Sequence, residues 1–183
     1  MEKCPGSEKM KEWKTVKAEE LTGNPFVRLG RDWMLLTAGT LGNWNTMTAA
    51  WGGLGVLWNW NVVYAFVRPT RHTYKFMEEN DYFTAGFFPD QYKEALNFCG
   101  THSGKNVDKA EATGLVPEEF TAEDEEIRGS VVGFSQADTV LVCKKVYFQD
   151  LEPGNFLSKQ IESHYSHDYH RMYVGKILTC KIR

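Results

Sequence analysis

Two stretches of this sequence combine residue types that suit one elongated ligand. Residues 45–53 (Asn-Thr-Met-Thr-Ala-Ala-Trp-Gly-Gly) place hydroxyl and amide side chains beside Trp51 and among small residues. Residues 68–74 (Arg-Pro-Thr-Arg-His-Thr-Tyr) place two arginines where an apolar run ends and a helical pattern begins. Hydroxyls can donate to phosphate or ribityl-type oxygens, an indole can cover a flat ring, and small residues let backbone amides approach a ligand. The two stretches together predict a pocket for a ligand that is aromatic at one end and phosphorylated at the other.

The cationic part of this prediction rests on Arg68 and Arg71. An arginine fork matches phosphate geometry, and a helix that begins after Thr70 offers free amides and a favourable dipole to an anion. A second cationic turn lies at residues 103–105 (Ser-Gly-Lys), before another short helical pattern. Each feature also has an ordinary explanation: a turn with a buried tryptophan, a pair of salt-bridged arginines, or a plain surface turn. The residues alone leave these alternatives open.

Three of the five histidines lie within residues 164–171 (His-Tyr-Ser-His-Asp-Tyr-His-Arg). One hypothesis is a metal site formed by His164, His167 and either Asp168 or His170. Another is a cluster beside the substrate, in which His170 donates a hydrogen bond or a proton. The third is a solvent-exposed loop before the last strand. No cysteine accompanies these histidines, which makes a zinc site the least favoured of the three, and we predict no metal.

Composition limits the class of protein. The 183 residues fit one domain, and 42% hydrophobic with 25% charged residues is ordinary for a globular protein. The aromatic content of 14%, with six tryptophans, predicts a bulky core, or a pocket or interface lined by rings. A net charge of −3 gives no bias toward nucleic acid or an anionic membrane. The polar N-terminus is unlike a signal peptide and no window is apolar enough for a membrane helix, so we expect a cytoplasmic protein.

Two further features are interpreted as structural. The cysteines, Cys4, Cys99, Cys143 and Cys180, are far apart and form no metal-binding or redox motif. Cys99 and Cys143 fall on apolar faces, where buried free thiols are common. Residues 118–126 carry six carboxylates and are expected to form an exposed loop. The motifs of P-loop, dinucleotide-binding and serine-hydrolase folds are absent from the sequence.

Hydrophobic patterning predicts a mainly β protein. Residues 1–24 are expected to be a tail or short helix, and residues 25–183 one domain. Alternation predicts strands over 33–38, 47–51, 62–67, 83–88, 129–134, 139–148 and 172–182. Helices are predicted over 70–80 with Thr70 as N-cap, over 90–99 between Asp90 and Gly100, and over 107–113 ending at Gly114. Since strands outnumber helices and do not alternate with them, we expect an antiparallel barrel with flanking helices.

In these motifs the chain resembles the flavin reductase-like family, in its flavoredoxin-type branch. The resemblance is carried by residues 45–53 and 68–74, by 99–105 (Cys-Gly-Thr-His-Ser-Gly-Lys) with 108–109 (Asp-Lys), and by 169–176 (Tyr-His-Arg-Met-Tyr-Val-Gly-Lys). It covers about residues 25–183. It implies an FMN-binding split β-barrel that works as a homodimer, with the flavin near the subunit interface.

The resemblance also implies roles for residues of this chain. The wall of the flavin ring and ribityl chain would be formed by Asn45, Thr46, Met47, Thr48 and Trp51. The phosphate would be held by Arg68, Arg71, Thr73, Ser103 and Lys105. His170, which ends an Asp-Tyr-His sequence where the family usually has Gly-Asp-His, would lie on the nicotinamide side.

The resemblance therefore predicts an FMN-dependent oxidoreductase. Electrons would pass from NADH or NADPH through the flavin to a free flavin, a ferric complex or a redox protein. The alternative is a flavoredoxin-like carrier or flavin-binding protein without NAD(P)H turnover of its own. A third hypothesis is an interaction module without any cofactor.

Overall fold

The structure is a computed structural model that describes residues 12–123 and 128–183. The strands within these residues are β1 (Lys14–Val16), β2 (Met34–Thr40), β3 (Asn43–Ala49), β4 (Gly52–Leu57), β5 (Trp60–Val67), β6 (Tyr82–Phe87), β7 (Pro117–Glu123), β8 (Arg128–Phe134), β9 (Thr139–Asp150) and β10 (Arg171–Ile182). The α-helices there are α1 (Pro25–Val27), α2 (His72–Glu79), α3 (Lys93–Thr101), α4 (Lys109–Thr113) and α5 (Lys159–Glu162). None of these helices combines the length and apolar composition that spanning a bilayer requires.

The main sheet is antiparallel and curls into a barrel that is open along one seam. Its strand order is β3-β2-β6-β9-β10-β5-β4, with β1 paired to β10 beside this path. The first and last strands of that order, β3 and β4, are separated in the chain only by Ala50 and Trp51. A connection this short requires the two sheet edges to lie close together, although no ladder joins them in the described chain. The predicted antiparallel split barrel with flanking helices is confirmed, and Trp51 lies at the seam.

Both faces of the sheet are buried, so the barrel has one core inside and another outside. Strand β2 shows this most clearly, because Leu36 faces the inner core and Leu35 the outer one. The inner core also contains Val63, Phe83, Leu141 and Tyr173. The outer core lies under α3 and the β7–β8 hairpin and also contains Leu96, Cys99, Phe120 and Phe134. This double burial explains why β2 and the first half of β9 are almost continuously apolar.

The outer layer fixes the position of α3 and the turn that follows it. Leu96 and Cys99 of α3 are buried in the outer core. The hydroxyl of Thr48, on β3, donates a hydrogen bond to the Leu96 carbonyl. Gly100 packs against the same threonine, since a Cβ built on Gly100 lies 3.1 Å from Thr48 Cβ. Residues 99–105 are therefore held directly over the outer edge of β3.

Several predicted boundaries differ from the structure. Helix α2 begins at His72, and its N-cap is Arg71 rather than Thr70, with no side-chain cap bond. Asp90 does not cap α3, because it starts a short 3-10 turn, Asp90–Tyr92, and the helix then runs past Gly100 to Thr101. The predicted ending of α4 at Gly114 is confirmed, with a left-handed φ of 69°.

Two segments that were expected to be irregular contain strands. Most of the acidic segment 118–126 lies in β7, which pairs with β8, and Phe120 of β7 is buried; residues 124–126 fall outside the described chain. The N-terminal segment contributes β1, which pairs with the end of β10, and a 3-10 turn, Ala18–Glu20. Residues 1–11, including Cys4, also fall outside the described chain.

Candidate functional site

Three adjoining cavities form a groove along β3, from the open seam to the start of α4. The aromatic cavity, of about 190 Å³, is lined by Met47, Thr48, Ala49, Ala50, Trp51, Phe66, Arg68, Arg71 and His170. The central cavity, of about 110 Å³, is lined by Asn45, Met47, Thr70, Arg71, His72, Thr73, Cys99, Thr101, His102, Ser103, Gly104 and Lys109. The polar cavity, of about 480 Å³, is lined by Gly42, Asn43, Trp44, Asn45, Gly104, Lys105, Asn106, Val107, Asp108 and Lys109.

Shared lining residues show that the three cavities are neighbours. Met47 and Arg71 line both the aromatic and the central cavity. Asn45, Gly104 and Lys109 line both the central and the polar cavity. Ten of the eleven residues predicted for the site line this groove, and Thr46 is the exception. Another cavity, of about 240 Å³, lies between residues 18–28 and β4, and no predicted site residue lines it.

The aromatic cavity is bounded by Trp51 and His170. The Trp51 ring, which is 46% exposed, lies 5.2 Å from the His170 ring and 5.6 Å from the His164 ring between centroids. His170 is buried, and its Nδ1 lies 3.0 Å from the Tyr165 hydroxyl. Burial, followed by the charge of Arg68, lowers the pKa of His170 to about 4. The imidazole is therefore neutral at physiological pH and offers one donor and one acceptor nitrogen.

Arg68 ties the end of β5 to the segment that precedes β10. Its Nη1 donates to both carboxylate oxygens of Asp168 at 2.8 Å, and its Nη2 donates to the His164 carbonyl at 2.7 Å. The guanidinium also lies over the Tyr165 ring, 5.0 Å from its centroid. This pairing lowers the pKa of Asp168, because the carboxylate accepts charge-assisted bonds. The ordinary alternative for Arg68, a salt bridge, is thus what the structure contains.

Arg71 has different partners from Arg68, although the two belong to the same short motif, residues 68–74. Its Nη1 donates to the Gly100 carbonyl at 2.9 Å, and no carboxylate pairs with it among the described residues. The residue is exposed, and its side chain lines two of the three cavities. Of the two predicted arginines, Arg71 is the one whose charge is free to meet an anion in the groove.

Asn45 and Thr73 form a buried hydrogen-bonded pair at the floor of the central cavity. Asn45 Nδ2 donates to the Thr73 hydroxyl at 2.7 Å and, less closely, to the Thr46 carbonyl at 3.3 Å. The Thr46 hydroxyl points the other way, donating to the Leu36 carbonyl at 3.1 Å and sharing a bond with Thr37 at 2.8 Å. Side chains alternate along a strand, so Asn45 and Met47 lie on one face of β3 and Thr46 on the other, where its hydroxyl bonds to β2.

The turn at residues 103–105 closes the groove from the side of α3. Gly104 touches Asn45 so closely that a Cβ built on it lies 1.9 Å from Asn45 Oδ1. The Ser103 hydroxyl accepts from the Lys105 amide at 3.3 Å, and both residues are exposed. Ser103 lines the central cavity and Lys105 the polar one. The structure therefore brings the Ser-Gly-Lys turn and Arg71 to the same stretch of the groove.

Lys109 is a groove residue that site prediction from the sequence did not select. It is the first residue of α4, its side chain is 5% exposed, and its Nζ donates to the carbonyls of Thr46 at 2.8 Å and Cys99 at 2.6 Å. The sequence held two signals for it: the Asp-Lys pair at 108–109 is among the motifs that carry the resemblance, and a lysine in the first turn of a helix opposes the helix dipole.

The histidine cluster does not form a metal site in the described chain. No group of three or more histidine, cysteine or acidic residues converges there on a point that could hold an ion. The side chain of His164 packs on Trp51, whereas the His167 ring contacts Tyr169, 6.3 Å away between centroids. The cysteines of the described chain, Cys99, Cys143 and Cys180, are free and buried.

Known structures resemble this fold, although the sequence has diverged widely. No protein-family model matches the chain, and no curated protein matches it. An FMN-binding domain of a flavin reductase-like enzyme from Shewanella baltica OS155 superposes with a TM-score of 0.64 at 16% identity, covering 93% of this chain and 77% of that one. The flavoredoxin of Desulfovibrio vulgaris (Miyazaki F) gives 0.61 at 18% identity over 100% and 77%. The flavoredoxin from Methanosarcina acetivorans gives 0.60 at 22% identity over 92% and 76%.

The fold is therefore the split barrel of the flavin reductase-like proteins, as the motifs predicted. Two of these three neighbours are flavoredoxins, the branch to which the motifs pointed. At these identities the likeness establishes the fold, and the groove residues of this chain have to carry the argument about function.

Proposed function

We propose that the groove binds FMN and that the protein is a flavin-dependent oxidoreductase. The observation that carries the proposal is the chemical difference between the two ends of the groove. It has an aromatic cavity at the seam and cationic, polar cavities toward α4. This donor set fits a ligand with a flat ring and a phosphate. The proposal is supported by the fold, since the Shewanella baltica neighbour is described as an FMN-binding domain.

In this proposal the ring lies in the aromatic cavity and the phosphate near Arg71. Trp51 and His170 would cover or flank the ring, while Met47 and Thr48 would form the wall along the ribityl chain, with Asn45 and Thr46 continuing it. The phosphate would be held by Arg71, Ser103 and Lys105, which line the groove. Arg68 and Thr73 complete the predicted phosphate set, and in this proposal they act by positioning, because their side chains are engaged by Asp168 and Asn45.

The chain itself would bind, orient and shield the cofactor. Bound flavin supplies the redox chemistry, accepting electrons from NADH or NADPH and passing them to a free flavin, a ferric complex or a redox protein. The neutral His170 can donate or accept one hydrogen bond without placing a charge beside the ring, and its partner Tyr165 orients it. Trp51 and Phe66 would exclude water from one side of the site. No side chain is needed as a nucleophile.

The second candidate is a flavoredoxin-like carrier or flavin-binding protein without NAD(P)H turnover of its own. It is supported by the two flavoredoxin neighbours.

We also propose that the protein is a cytoplasmic homodimer. Exposed rings of Trp58, Trp60 and Tyr147 form one aromatic patch that a second subunit could cover. Sedimentation of the purified protein would test the dimer.

Rapid mixing of the FMN-loaded protein with reductants tests the reductase proposal. Bleaching of the bound flavin by NADH or NADPH supports the reductase. Bleaching by dithionite alone leaves the carrier. A protein that retains no flavin after incubation with excess FMN would contradict both, and would leave an interaction module.

A further inference from the structure

The Lys109 amine bridges β3 and α3, two elements that border the groove. One of its carbonyl partners, Thr46, belongs to β3, and the other, Cys99, belongs to α3. Lys109 also lines both the central and the polar cavity. An ammonium group has three N–H donors, and these two carbonyls engage two of them. Among the described residues no third acceptor bonds to Nζ, so one donor of a side chain that is 5% exposed has no protein partner.

The charges around Lys109 are cationic or neutral. Arg71, which lines the same central cavity, disfavours its protonation, whereas the buried Cys99 thiol acts in the opposite direction. Burial lowers the pKa of His72 on α2, and the charges of Lys105, Lys75 and Lys109 lower it further. The carboxylate of Asp108 is engaged as the N-cap of α4, where it accepts from the Glu111 amide. Burial is the main reason that the pKa of Lys109 falls to about 8.

We propose that Lys109 is a proton-linked anion contact: the phosphate end of the ligand binds together with a proton that Lys109 takes up. This inference rests on the proposed function in that it takes the anion to be the FMN phosphate. The free site holds a mixture of amine and ammonium at mildly alkaline pH. An anion in the central cavity favours the ammonium, so the amine gains a proton from solvent and no other bond changes.

The geometry separates this role from that of an ordinary buried lysine. Lys145 is the matched case, because it is half-buried, donates to the carbonyls of Met77 and Glu78, and has a lowered pKa through burial. It lines none of the three groove cavities. A clamp on two carbonyls needs only an amine, whereas attraction to a phosphate needs the charge. The pH dependence of ligand affinity therefore distinguishes the two roles.

The test is fluorescence titration of the apoprotein with FMN and with riboflavin, at about pH 7 and about pH 9.5, since a group with a pKa near 8 changes charge between them. The affinity for FMN should fall about tenfold or more over this interval, because binding that takes up one proton weakens by up to about tenfold for each pH unit above the pKa of the free lysine. The affinity for riboflavin, which has no phosphate, should not change. The Lys109→Met variant should lose the FMN-specific pH dependence, and the Lys145→Met control should keep it. Equal pH dependence in Lys109→Met and in the original protein would overturn the proposal.

A second measurement keeps the test decisive if flavin does not bind or the variant does not fold. NMR titration of the lysine side chains, with the Lys109 signal assigned from Lys109→Arg, reports its pKa directly with and without inorganic phosphate. The proposal predicts that phosphate raises the pKa of Lys109 and leaves the pKa of Lys145 unchanged. An unchanged Lys109 pKa would overturn it, whatever the outcome with flavin. Absence of binding by both FMN and riboflavin, with a phosphate-dependent Lys109, would instead contradict the proposed function.

Discussion

Arg68 Nη1 lies 2.8 Å from each carboxylate oxygen of Asp168, although one hundred residues separate the two in the chain. The pair links the end of β5 to the segment that delivers His170 to the aromatic cavity. It also distinguishes the two arginines of the same motif. The guanidinium of Arg68 is paired with a carboxylate and links two segments of the chain. Arg71 has no carboxylate partner among the described residues and lines the groove.

The two arginines should therefore respond differently to substitution. Arg71→Ala should weaken FMN binding by about 1.5–3 kcal/mol, the usual worth of a hydrogen bond to a charged group, and leave riboflavin binding unchanged. Arg68→Ala should weaken both ligands alike, because it loosens the segment that carries His170. Calorimetric titration with the two ligands measures the difference. Arg31→Ala is the control, since Arg31 is exposed, pairs with Asp32 and lines none of the three groove cavities. Equal losses for FMN and riboflavin in Arg71→Ala would refute the phosphate assignment.

The fit of the turn over β3 predicts a steric effect at Gly104. A methyl group at this position meets Asn45 Oδ1 at 1.9 Å, so Gly104→Ala has to move the turn or break the Asn45–Thr73 bond. We expect a loss of about 1–3 kcal/mol in stability, in the range of other overpacking substitutions, together with weaker FMN binding. Gly30→Ala is the matched control, because nothing lies within 4 Å of a Cβ there. Urea unfolding of both variants gives the comparison, and equal midpoints would show that the turn adapts freely.

The lowered pKa of His170 predicts that the stability of the protein depends on pH. Its pKa is about 4 in the folded protein against an ordinary value of 6.5, so between these values the unfolded chain binds more protons. Stability therefore rises with pH across this window, is complete above about pH 6.5, and falls as the solution is acidified toward pH 4. The contribution is at most about 3 kcal/mol, from 1.36 kcal/mol per pKa unit.

Urea unfolding at about pH 7 and about pH 4.5 measures the His170 effect, because these values bracket most of the window. The His170→Asn variant should lose less stability on acidification than the original protein. His102→Asn, which removes an exposed histidine of α3's C-cap, should behave like the original protein. If His170→Asn and the original protein lose the same stability, His170 is not the buried neutral group described.

The buried thiols should be unreactive in the folded protein. Burial raises the pKa of Cys99 and of Cys180 to about 11, and that of Cys143 well above its ordinary value. Few thiolates are then present at neutral pH, and access is blocked. In a Cys4→Ala background, a thiol reagent should label the native protein at least a hundredfold more slowly than the urea-unfolded protein, an order-of-magnitude expectation from exposure and thiolate fraction. Rapid labelling of Cys99 would point to a redox role that the structure does not explain.

The sequence predicted the barrel because its strands are buried and periodic, and because local turn chemistry marks features such as Gly114. The prediction failed at β7, where the buried Phe120 stands in a run of glutamates and the charged residues hide the strand pattern. Thr70 and Asp90 were wrong as caps, because residues suited to capping also occur in turns that precede helices.

The predicted site residues were mostly brought to one groove, but their individual roles depend on distant partners. Arg68 could not be distinguished from Arg71 without the position of Asp168. Lys109 could not be recognised as buried, because the two carbonyls that hold it come from β3 and α3. Long-range contacts of this kind leave no local pattern in the sequence.

The visible absorption spectrum of the freshly purified protein, after incubation with FMN and removal of free ligand, tests the central claim most directly. The proposal predicts a flavin band near about 450 nm, from general flavin chemistry, at close to one FMN per chain. Arg71→Ala should retain less of it under the same treatment. A colourless protein that is folded by circular dichroism would contradict the account.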